Sequence, residues 1–156
     1  MGNAVSPTIH ASAVLVGPRA ILIRGPSGAG KSRLALALIS AAESGLVRFA
    51  RLVADDRAHV DAVNGRLLVR PAEQLAGLIE VRGLGLRRVP YEPVAVVGLV
   101  VDLAAADAER LPQPAAGTVV LHAVTLPRLA VAAGSDSLSR IVASIATIAI
   151  VPSGTG

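Results

Sequence analysis

The sequence predicts an α/β fold, in which a central, mainly β sheet is flanked by helices. The chain has 156 residues, which is enough for one hydrophobic core. Hydrophobic residues make up 53% of the chain, although it contains only one Phe, one Tyr and no Trp. Its core must therefore be built from Ala, Val, Leu and Ile, which suits a sheet covered by helices rich in small residues. We expect a single domain over residues 1–156, with tails at 1–8 and 152–156.

The first half of the chain is predicted to alternate short strands with one helix. Gly17-Pro18 separates two apolar runs, and a run of leucines and alanines later forms a helix that Gly45 can end. Asn64-Gly65 lies between two further runs and is a strong signal for a two-residue hairpin turn. The predicted strands span residues 12–16, 20–24, 46–54, 59–63 and 66–70, and the predicted helix spans 33–44.

The second half is predicted to contain two strands between two helices. Pro71 can open a short helix over residues 72–79, and the stretch 82–93, rich in Gly, Pro and Arg, is predicted to be a loop over a site. Ser135 can cap a final helix. The remaining predicted elements are strands at 94–103 and 118–124, a connection at 104–116 and the final helix at 136–149.

A glycine-rich loop with phosphate-binding spacing follows the second predicted strand and precedes the first helix. Gly25 is followed by four residues and then by Gly30-Lys31-Ser32, the complete P-loop pattern. Lys31 is the only lysine among the 15 basic residues, and a compact ammonium is what a narrow phosphate cradle requires. The pattern predicts a P-loop domain that binds ATP with Mg²⁺, the Ser32 hydroxyl being a metal ligand. The predicted phosphate-binding residues are Gly25, Pro26, Ser27, Gly28, Ala29, Gly30, Lys31 and Ser32.

Two apolar runs end in aspartate, as the metal-binding strand of a P-loop site would. Asp102 ends the later run and could equally cap the next element. Asp55 and Asp56 end the earlier one, and adjacent carboxylates repel each other unless a cation or a shared proton relieves the repulsion. One of this pair could accept the proton of an attacking hydroxyl while the other helps to hold Mg²⁺. A solvated turn is the alternative interpretation.

Composition argues against several classes of function. The chain has no Cys, so a disulfide, a zinc–thiolate site or a cysteine nucleophile cannot occur. Its basic residues are scattered and form no basic block with interleaved aromatic residues, so we expect no nucleic-acid partner. The apolar runs are shorter than the roughly 20 residues that a membrane span needs. We therefore expect no membrane association and a cytoplasmic location.

Four motifs, taken together and in this order, resemble the catalytic domain of the HPr kinase/phosphorylase family. The resemblance runs from about residue 8 to residue 131 and implies a fold like that of HPr kinase and phosphoenolpyruvate carboxykinase. The motifs are a strand beginning at His10, the P-loop, Leu52-Val53-Ala54-Asp55-Asp56-Arg57, and the signature Glu80-Val81-Arg82-Gly83-Leu84-Gly85.

The resemblance implies an ATP-dependent kinase that phosphorylates a serine of the phosphocarrier protein HPr. Asp55 would be the general base, with His10 tuning its proton affinity. Ser32, Glu80 and Asp56 would position Mg²⁺, with Asp56 also belonging to the catalytic hydrogen-bond network. The family forms homo-oligomers, so the resemblance also implies self-association.

Arg82 would belong to the catalytic signature loop, and the family also runs the reverse reaction, in which phosphate attacks phosphoserine and releases pyrophosphate. This chain departs from the family in residues 133–138, where a loop that is usually basic has no basic residue. Two other functions remain open for the P-loop. One is a small-metabolite kinase, for which residues 82–88 are the only candidate lid, and the other is a non-catalytic nucleotide-binding regulator.

Overall fold

The computed structural model describes residues 7–109 and 112–146. Strands dominate these residues, and two α-helices accompany them. Short 3₁₀ turns lie at Glu73–Leu75 and Pro114–Gly117. The elements in chain order are β1 Thr8–Val16, β2 Arg19–Arg24, α1 Lys31–Glu43, β3 Ala50–Ala54, β4 Arg57–Val63, β5 Arg66–Pro71, β6 Leu78–Val81, β7 Gly85–Arg88, β8 Ala95–Leu103, β9 Thr118–Leu121, β10 Val124–Val131 and α2 Ser137–Ala146.

Eight of the strands form one mixed sheet, and β6 pairs with β7 in a separate hairpin. Strand β2 runs parallel to β8, which runs parallel to β10, whereas the other pairs are antiparallel. The pairings β2–β1, β1–β4, β4–β5, β5–β8 and β8–β2 close on themselves. The sheet is therefore curled, and all five strands of this circuit contribute side chains to one buried cluster.

The opposite face of β1 and β2 is covered by helices. Because side chains alternate along a strand, Val14 and Ile21 point away from the first cluster and pack in a second one. Leu34 and Leu38 of α1 and Ile141 of α2 join them there, and all three are almost fully buried. Helix α1 thus lies against the sheet, and its first residues, Lys31 and Ser32, are also the last residues of the glycine-rich loop.

The sheet-dominated α/β prediction is confirmed, and so are most of the elements before residue 71. The hairpin turn at Asn64-Gly65 has φ angles of 51° and 77°, the left-handed pair of a type I′ turn. The third strand begins later than predicted, at Ala50, and β1 begins at Thr8, inside the predicted tail. The predicted tail at 152–156 lies outside the described residues.

The predictions for residues 72–93 are wrong in two places. The helix predicted at 72–79 is a single 3₁₀ turn, after which Gly77 adopts a φ of 76° and β6 begins. The loop predicted at 82–93 contains β7, whose Arg87 and Arg88 pair with β6. The helix at 72–79 was predicted because proline often occupies the first position of a helix. In the structure Pro71 is the last residue of β5.

Strand β10 was not predicted. The single strand expected at 118–124 is interrupted by a turn at His122-Ala123, and the chain then runs back as β10. These two residues have φ angles of 49° and 64° without any glycine, so the usual turn signal is missing.

The final helix is capped by Asp136 and not by Ser135. The Asp136 carboxylate accepts hydrogen bonds from the backbone N–H and the hydroxyl of Ser139, at 3.2 and 2.6 Å. Residues 147–149 of the predicted helix lie outside the described part of the chain. Within that part, no helix combines the length and the apolar character needed to cross a membrane.

Candidate active site

The glycine-rich loop at residues 25–32 connects the end of β2 to the start of α1. Gly28 and Gly30 have φ angles of 81° and 99°, which favour glycine. A Cβ atom on Gly25 would lie 3.1 Å from both Cβ and the carbonyl oxygen of Leu103. The loop therefore packs closely against the end of β8, and its N–H groups lie at the N-terminus of a 13-residue helix.

Lys31 folds back over this loop. Its side chain is largely buried, with a residue exposure of 9%. The Nζ atom donates hydrogen bonds to the carbonyl oxygens of Gly25, at 2.8 Å, and Pro26, at 3.2 Å. The ammonium group is thus held at the loop by the loop's own backbone, and a charge this buried requires such partners.

Asp55 connects three separate segments of the chain. Its Oδ1 atom accepts hydrogen bonds from the hydroxyls of Ser12, at 2.8 Å, and Ser32, at 2.7 Å. Its Oδ2 atom accepts one from the backbone N–H of Glu80, at 3.1 Å. Asp55 as a whole is buried, with a residue exposure of 6%. The serine of the glycine-rich loop, the first strand and the start of the signature segment therefore converge on the Asp55 carboxylate.

Asp56 follows in a left-handed backbone conformation, with a φ of 67°. Its N–H donates to the Ser12 hydroxyl at 3.2 Å, and its carbonyl accepts from the Ala11 N–H at 3.1 Å. The turn directs the chain so that Asp55 is buried whereas Asp56 is exposed. A non-glycine residue with this φ is uncommon, and aspartate is one of the residues that tolerate it best.

Ser12 was missed by sequence reasoning. It is fully buried in β1, and its hydroxyl donates to Asp55 and accepts from Asp56. The sequence signal was a hydroxyl residue at the start of the apolar run of residues 12–16, which is too weak to single it out. Because a buried hydroxyl requires partners, its role became apparent only from the contacts.

Two cavities lie on either side of the glycine-rich loop. The first, of about 530 Å³, contains Asp56, Glu80 and Arg82 together with Lys31 and Ser32. The second, of about 450 Å³, lies between the loop and residues 131–138. Gly28, Gly30 and Arg33 line both. The loop therefore stands between two spaces, one rich in charged side chains and the other lined largely by small residues.

The structure brings most of the sequence-predicted site residues around the first cavity, with Asp55 buried beneath it. His10 is an exception. It is an exposed residue of β1 whose strand partner is Arg57, and it does not line this cavity. No hydrogen bond joins His10 to Asp55 or Asp56 in the described part of the chain, and its tuning role stays a prediction.

The residues around the first cavity could bind a hard cation. Ser32, Asp56 and Glu80 offer a hydroxyl and two carboxylates in one space. Among residues 7–109 and 112–146, no group of three or more His, Asp or Glu side chains forms a metal site by itself. The hydroxyl of Ser32 and the carboxylates of Asp56 and Glu80 suit Mg²⁺. This ion usually takes one or two carboxylates and completes its shell with water and phosphate oxygens.

Asp102 does not cap an element. It lies in β8 and accepts hydrogen bonds from Arg24, at 2.8 and 2.9 Å, and from Arg128, at 2.6 Å. Burial works to raise the pKa of Asp102, but the hydrogen bonds and charges of the two arginines hold that pKa below its usual range. Its carboxylate is thus committed to guanidinium groups and has little capacity left for a metal ion.

The model of the HPr Serine kinase C-terminal domain matches residues 3–92, which include the glycine-rich loop, the aspartate pair and the signature segment. The chain belongs to this family.

HPr kinase/phosphorylase from Clostridium beijerinckii is 41% identical over 78 residues, which are 50% of this chain and 24% of that protein. The enzyme of the same name from Streptococcus thermophilus is 42% identical over 80 residues, or 51% of this chain and 24% of that protein. The matched part of the chain therefore spans about a quarter of the length of these curated relatives.

A solved structure has the same fold. It is the structure of the Hpr(Ser) kinase/phosphatase from Coxiella burnetii, which superposes with a TM-score of 0.71 at 23% sequence identity. The match covers 89% of this chain and 93% of that chain. The superposition shows a shared architecture, and function must be argued from the site.

Proposed function

We propose that this chain is an ATP-dependent protein kinase that phosphorylates a serine of HPr. The observation that carries the proposal is the position of Asp55, a buried carboxylate that is hydrogen-bonded to Ser32 of the glycine-rich loop and to the backbone of Glu80. Phosphoryl transfer to a hydroxyl needs a loop that binds the phosphates and a carboxylate held beside that loop. The family membership and the names of the relatives support HPr as the acceptor.

The glycine-rich loop would bind the phosphates of ATP. Its N–H groups and the N-terminus of α1 attract anions. Lys31 uses two donors on Gly25 and Pro26, and since an ammonium has three donors, one remains for a phosphate oxygen. In this proposal the chain is a single P-loop domain of the HPr kinase and phosphoenolpyruvate carboxykinase type.

Ser32, Asp56 and Glu80 would hold Mg²⁺. Their hydroxyl and carboxylate oxygens line the same cavity as the loop, which suits a hard cation shared with phosphate oxygens. When bound, the ion neutralises part of the negative charge of the phosphates. Arg82, on the rim of that cavity, would steady the phosphoryl group during transfer.

Asp55 would accept the serine proton. A carboxylate has about four lone-pair positions, and Asp55 uses three, which leaves a position on Oδ2. The serine oxygen attacks the γ-phosphorus and forms a new O–P bond, while the bond from that phosphorus to the bridging oxygen breaks and ADP leaves. The serine proton passes to Asp55. The three hydrogen bonds orient the carboxylate before the substrate arrives, so little reorganisation is needed.

Four further expectations rest on the resemblance and belong to the same proposal. They are the reverse phosphorolysis, in which Asp55 would return its proton, the tuning of Asp55 by His10, self-association, and a cytoplasmic location. The phosphorolysis can be tested on phosphorylated HPr with inorganic phosphate, by measuring the release of pyrophosphate.

The decisive experiment is to incubate the purified protein with Mg-ATP and HPr and to locate the transferred phosphate by mass spectrometry. Asp55→Asn removes the proton acceptor at nearly constant shape, and Asp61→Asn makes the same change in the Arg70–Asp61 ion pair of the β4–β5 hairpin. We expect phosphoserine on HPr with the unmodified protein and with Asp61→Asn, and a loss of turnover by a factor of about 100 or more with Asp55→Asn. Binding of ATP without phosphate transfer to HPr would exclude the HPr kinase. A non-catalytic nucleotide-binding regulator and a small-metabolite kinase would then remain.

A further inference from the structure

An ion-pair network lies at the end of β2, directly before the glycine-rich loop, where Arg24 binds Asp102 of β8. Asp102 Oδ1 accepts from Arg24 Nε at 2.8 Å, and Asp102 Oδ2 accepts from Arg24 Nη2 at 2.9 Å. This two-bond contact fixes the guanidinium plane as well as its distance. The side chains of Arg24 and Asp102 are 29% and 15% exposed, so solvent weakens the contact only in part.

The same carboxylate binds a second arginine. Asp102 Oδ2 also accepts from Arg128 Nε at 2.6 Å, and Arg128 binds Asp107 through both terminal nitrogens, at 2.7 and 3.0 Å. Arg128 Nη1 further donates to the carbonyl of Ala116 at 3.2 Å. Two arginines and two aspartates therefore neutralise one another and join β2, β8, β10 and the connection that follows β8.

Arg24 is the last residue of β2, and Gly25, the first residue of the loop, follows it directly. In the parallel pairing of β2 with β8, Arg24 stands opposite Asp102, so the side-chain contact reinforces the backbone register. The carbonyl of Gly25 accepts the 2.8 Å hydrogen bond of Lys31 Nζ. A continuous series of contacts thus runs from Asp102 through Arg24 and Gly25 to the ammonium group.

We infer that Asp102 is a positioning residue for the phosphate-binding loop, which acts through Arg24 to set the place of Gly25 and therefore of Lys31. This inference rests on the proposed binding of ATP by that loop. Asp102 itself touches no substrate. Without it, Arg24 loses both of its hydrogen bonds to Asp102, and the end of β2 is held beside β8 by backbone pairing and by the packing of Gly25 against Leu103. A displacement of the ammonium by less than 1 Å is enough to weaken its contact with phosphate.

Loss of the Arg24–Asp102 contact should weaken the binding of ATP and leave the binding of the acceptor HPr unchanged. Asp102→Asn keeps the shape of the side chain but removes its charge, and it should raise KM for ATP about tenfold or more while KM for HPr changes less than twofold. Arg24→Gln should do the same. Because both changes break one contact, the double variant should be no worse than the more damaging single variant. Asp61→Asn, which removes a carboxylate from another ion pair, should leave both KM values unchanged.

Binding of a fluorescently labelled ATP analogue with Mg²⁺, displaced by ATP, and steady-state kinetics on the four variants provide the test, with a melting temperature for each. Additive losses in the double variant, or a folded Asp102→Asn protein whose KM for ATP stays within twofold of the unmodified protein, would overturn the inference. If Asp102→Asn does not fold, Arg24→Lys carries the same test, since it keeps the charge but cannot make the two-bond contact. Failure of the unmodified protein to bind Mg-ATP would overturn the proposed function, and the inference with it.

Discussion

The hydroxyl of Ser32 lies 2.7 Å from Oδ1 of Asp55 and donates a hydrogen bond to it. This contact joins the first turn of α1 to the chain directly after β3, two segments that are separated by 23 residues. It links the end of the glycine-rich loop to the first carboxylate of the aspartate pair. The two motifs that stand out most clearly in the sequence are therefore parts of one site.

Replacement of Ser12 by alanine should impair the site, although Ser12 contacts Asp55 and Asp56 and no substrate. The variant removes one donor from the buried Asp55 and the acceptor of the partly buried Asp56 N–H. We expect a loss of about 1–3 kcal/mol in the free energy of unfolding. If the kinase proposal holds, kcat should fall about tenfold because Asp55 is less firmly oriented.

Urea unfolding and initial rates measure both effects of the Ser12 replacement. Ser44→Ala is the control, because Ser44 also donates through its hydroxyl, to the carbonyl of Ala41 at the far end of α1. An unfolding free energy equal to that of the unmodified protein would contradict the role assigned to Ser12.

Replacement of Gly98 by alanine should destabilise the sheet. Gly98 lies in β8 where its register with β2 shifts between Ala20 and Ile21. A Cβ atom there would lie 2.7 Å from Cβ and 3.0 Å from Cγ of Arg19, so a strand must move. We expect a loss of about 1–3 kcal/mol in the free energy of unfolding.

Gly117→Ala is the matched control for Gly98→Ala, since no atom lies within 4 Å of the position its Cβ would take. Thermal or urea unfolding of both variants gives the comparison. Equal stability of the two variants would show that the close approach of β2 and β8 is not maintained in solution.

The stability contributed by Asp102 should depend on pH. Because the pKa of Asp102 is lower in the folded protein than in the unfolded chain, its contribution is fully present above the unfolded value of about 3.9. It is lost as the pH falls through the folded value, where the carboxylate takes up a proton. At pH 7, Asp102→Asn should cost on the order of 2 kcal/mol, between the values typical of exposed and buried pairs.

Urea unfolding from pH 7 down to pH 3 measures the pH dependence of the unfolding free energy for the unmodified protein and for Asp102→Asn. The difference in unfolding free energy between the unmodified protein and Asp102→Asn should narrow as the pH falls below about 4. A difference that stays constant over this range would mean that Asp102 is not held ionised by its arginines.

Local patterns made much of this site recognisable in the sequence. Residues 25–32 follow one another in the chain, and so do Asp55 and Asp56. Each motif can therefore be recognised in a single sequence. Ser12 is a different case, because its importance lies in two contacts with residues 43 and 44 positions away. The same reason hid the role of Asp102, whose partner Arg24 is 78 residues distant.

The errors in the fold also have physical causes. Strand β10 was missed because His122 and Ala123 form a left-handed turn without glycine. The β6–β7 hairpin was missed because Gly83 and Gly85 predict a loop in the sequence, whereas in the structure both have left-handed φ angles, of 84° and 86°, at the turn of the hairpin. At His122-Ala123 the tertiary structure imposes a conformation that the local sequence does not indicate, whereas Gly83 and Gly85 are compatible with either a loop or a hairpin turn.

The hydrogen bonds of Asp55 have a consequence for how the protein matures. Its three partners are 43, 23 and 25 residues away along the chain, on β1, α1 and β6. Contacts of this kind form only after long segments have been brought together, at an entropic cost that local structure cannot offset. An early helix or hairpin can therefore exist before the carboxylate has any of its partners. If the kinase proposal holds, newly made chains should gain catalytic competence as one of the last events of folding.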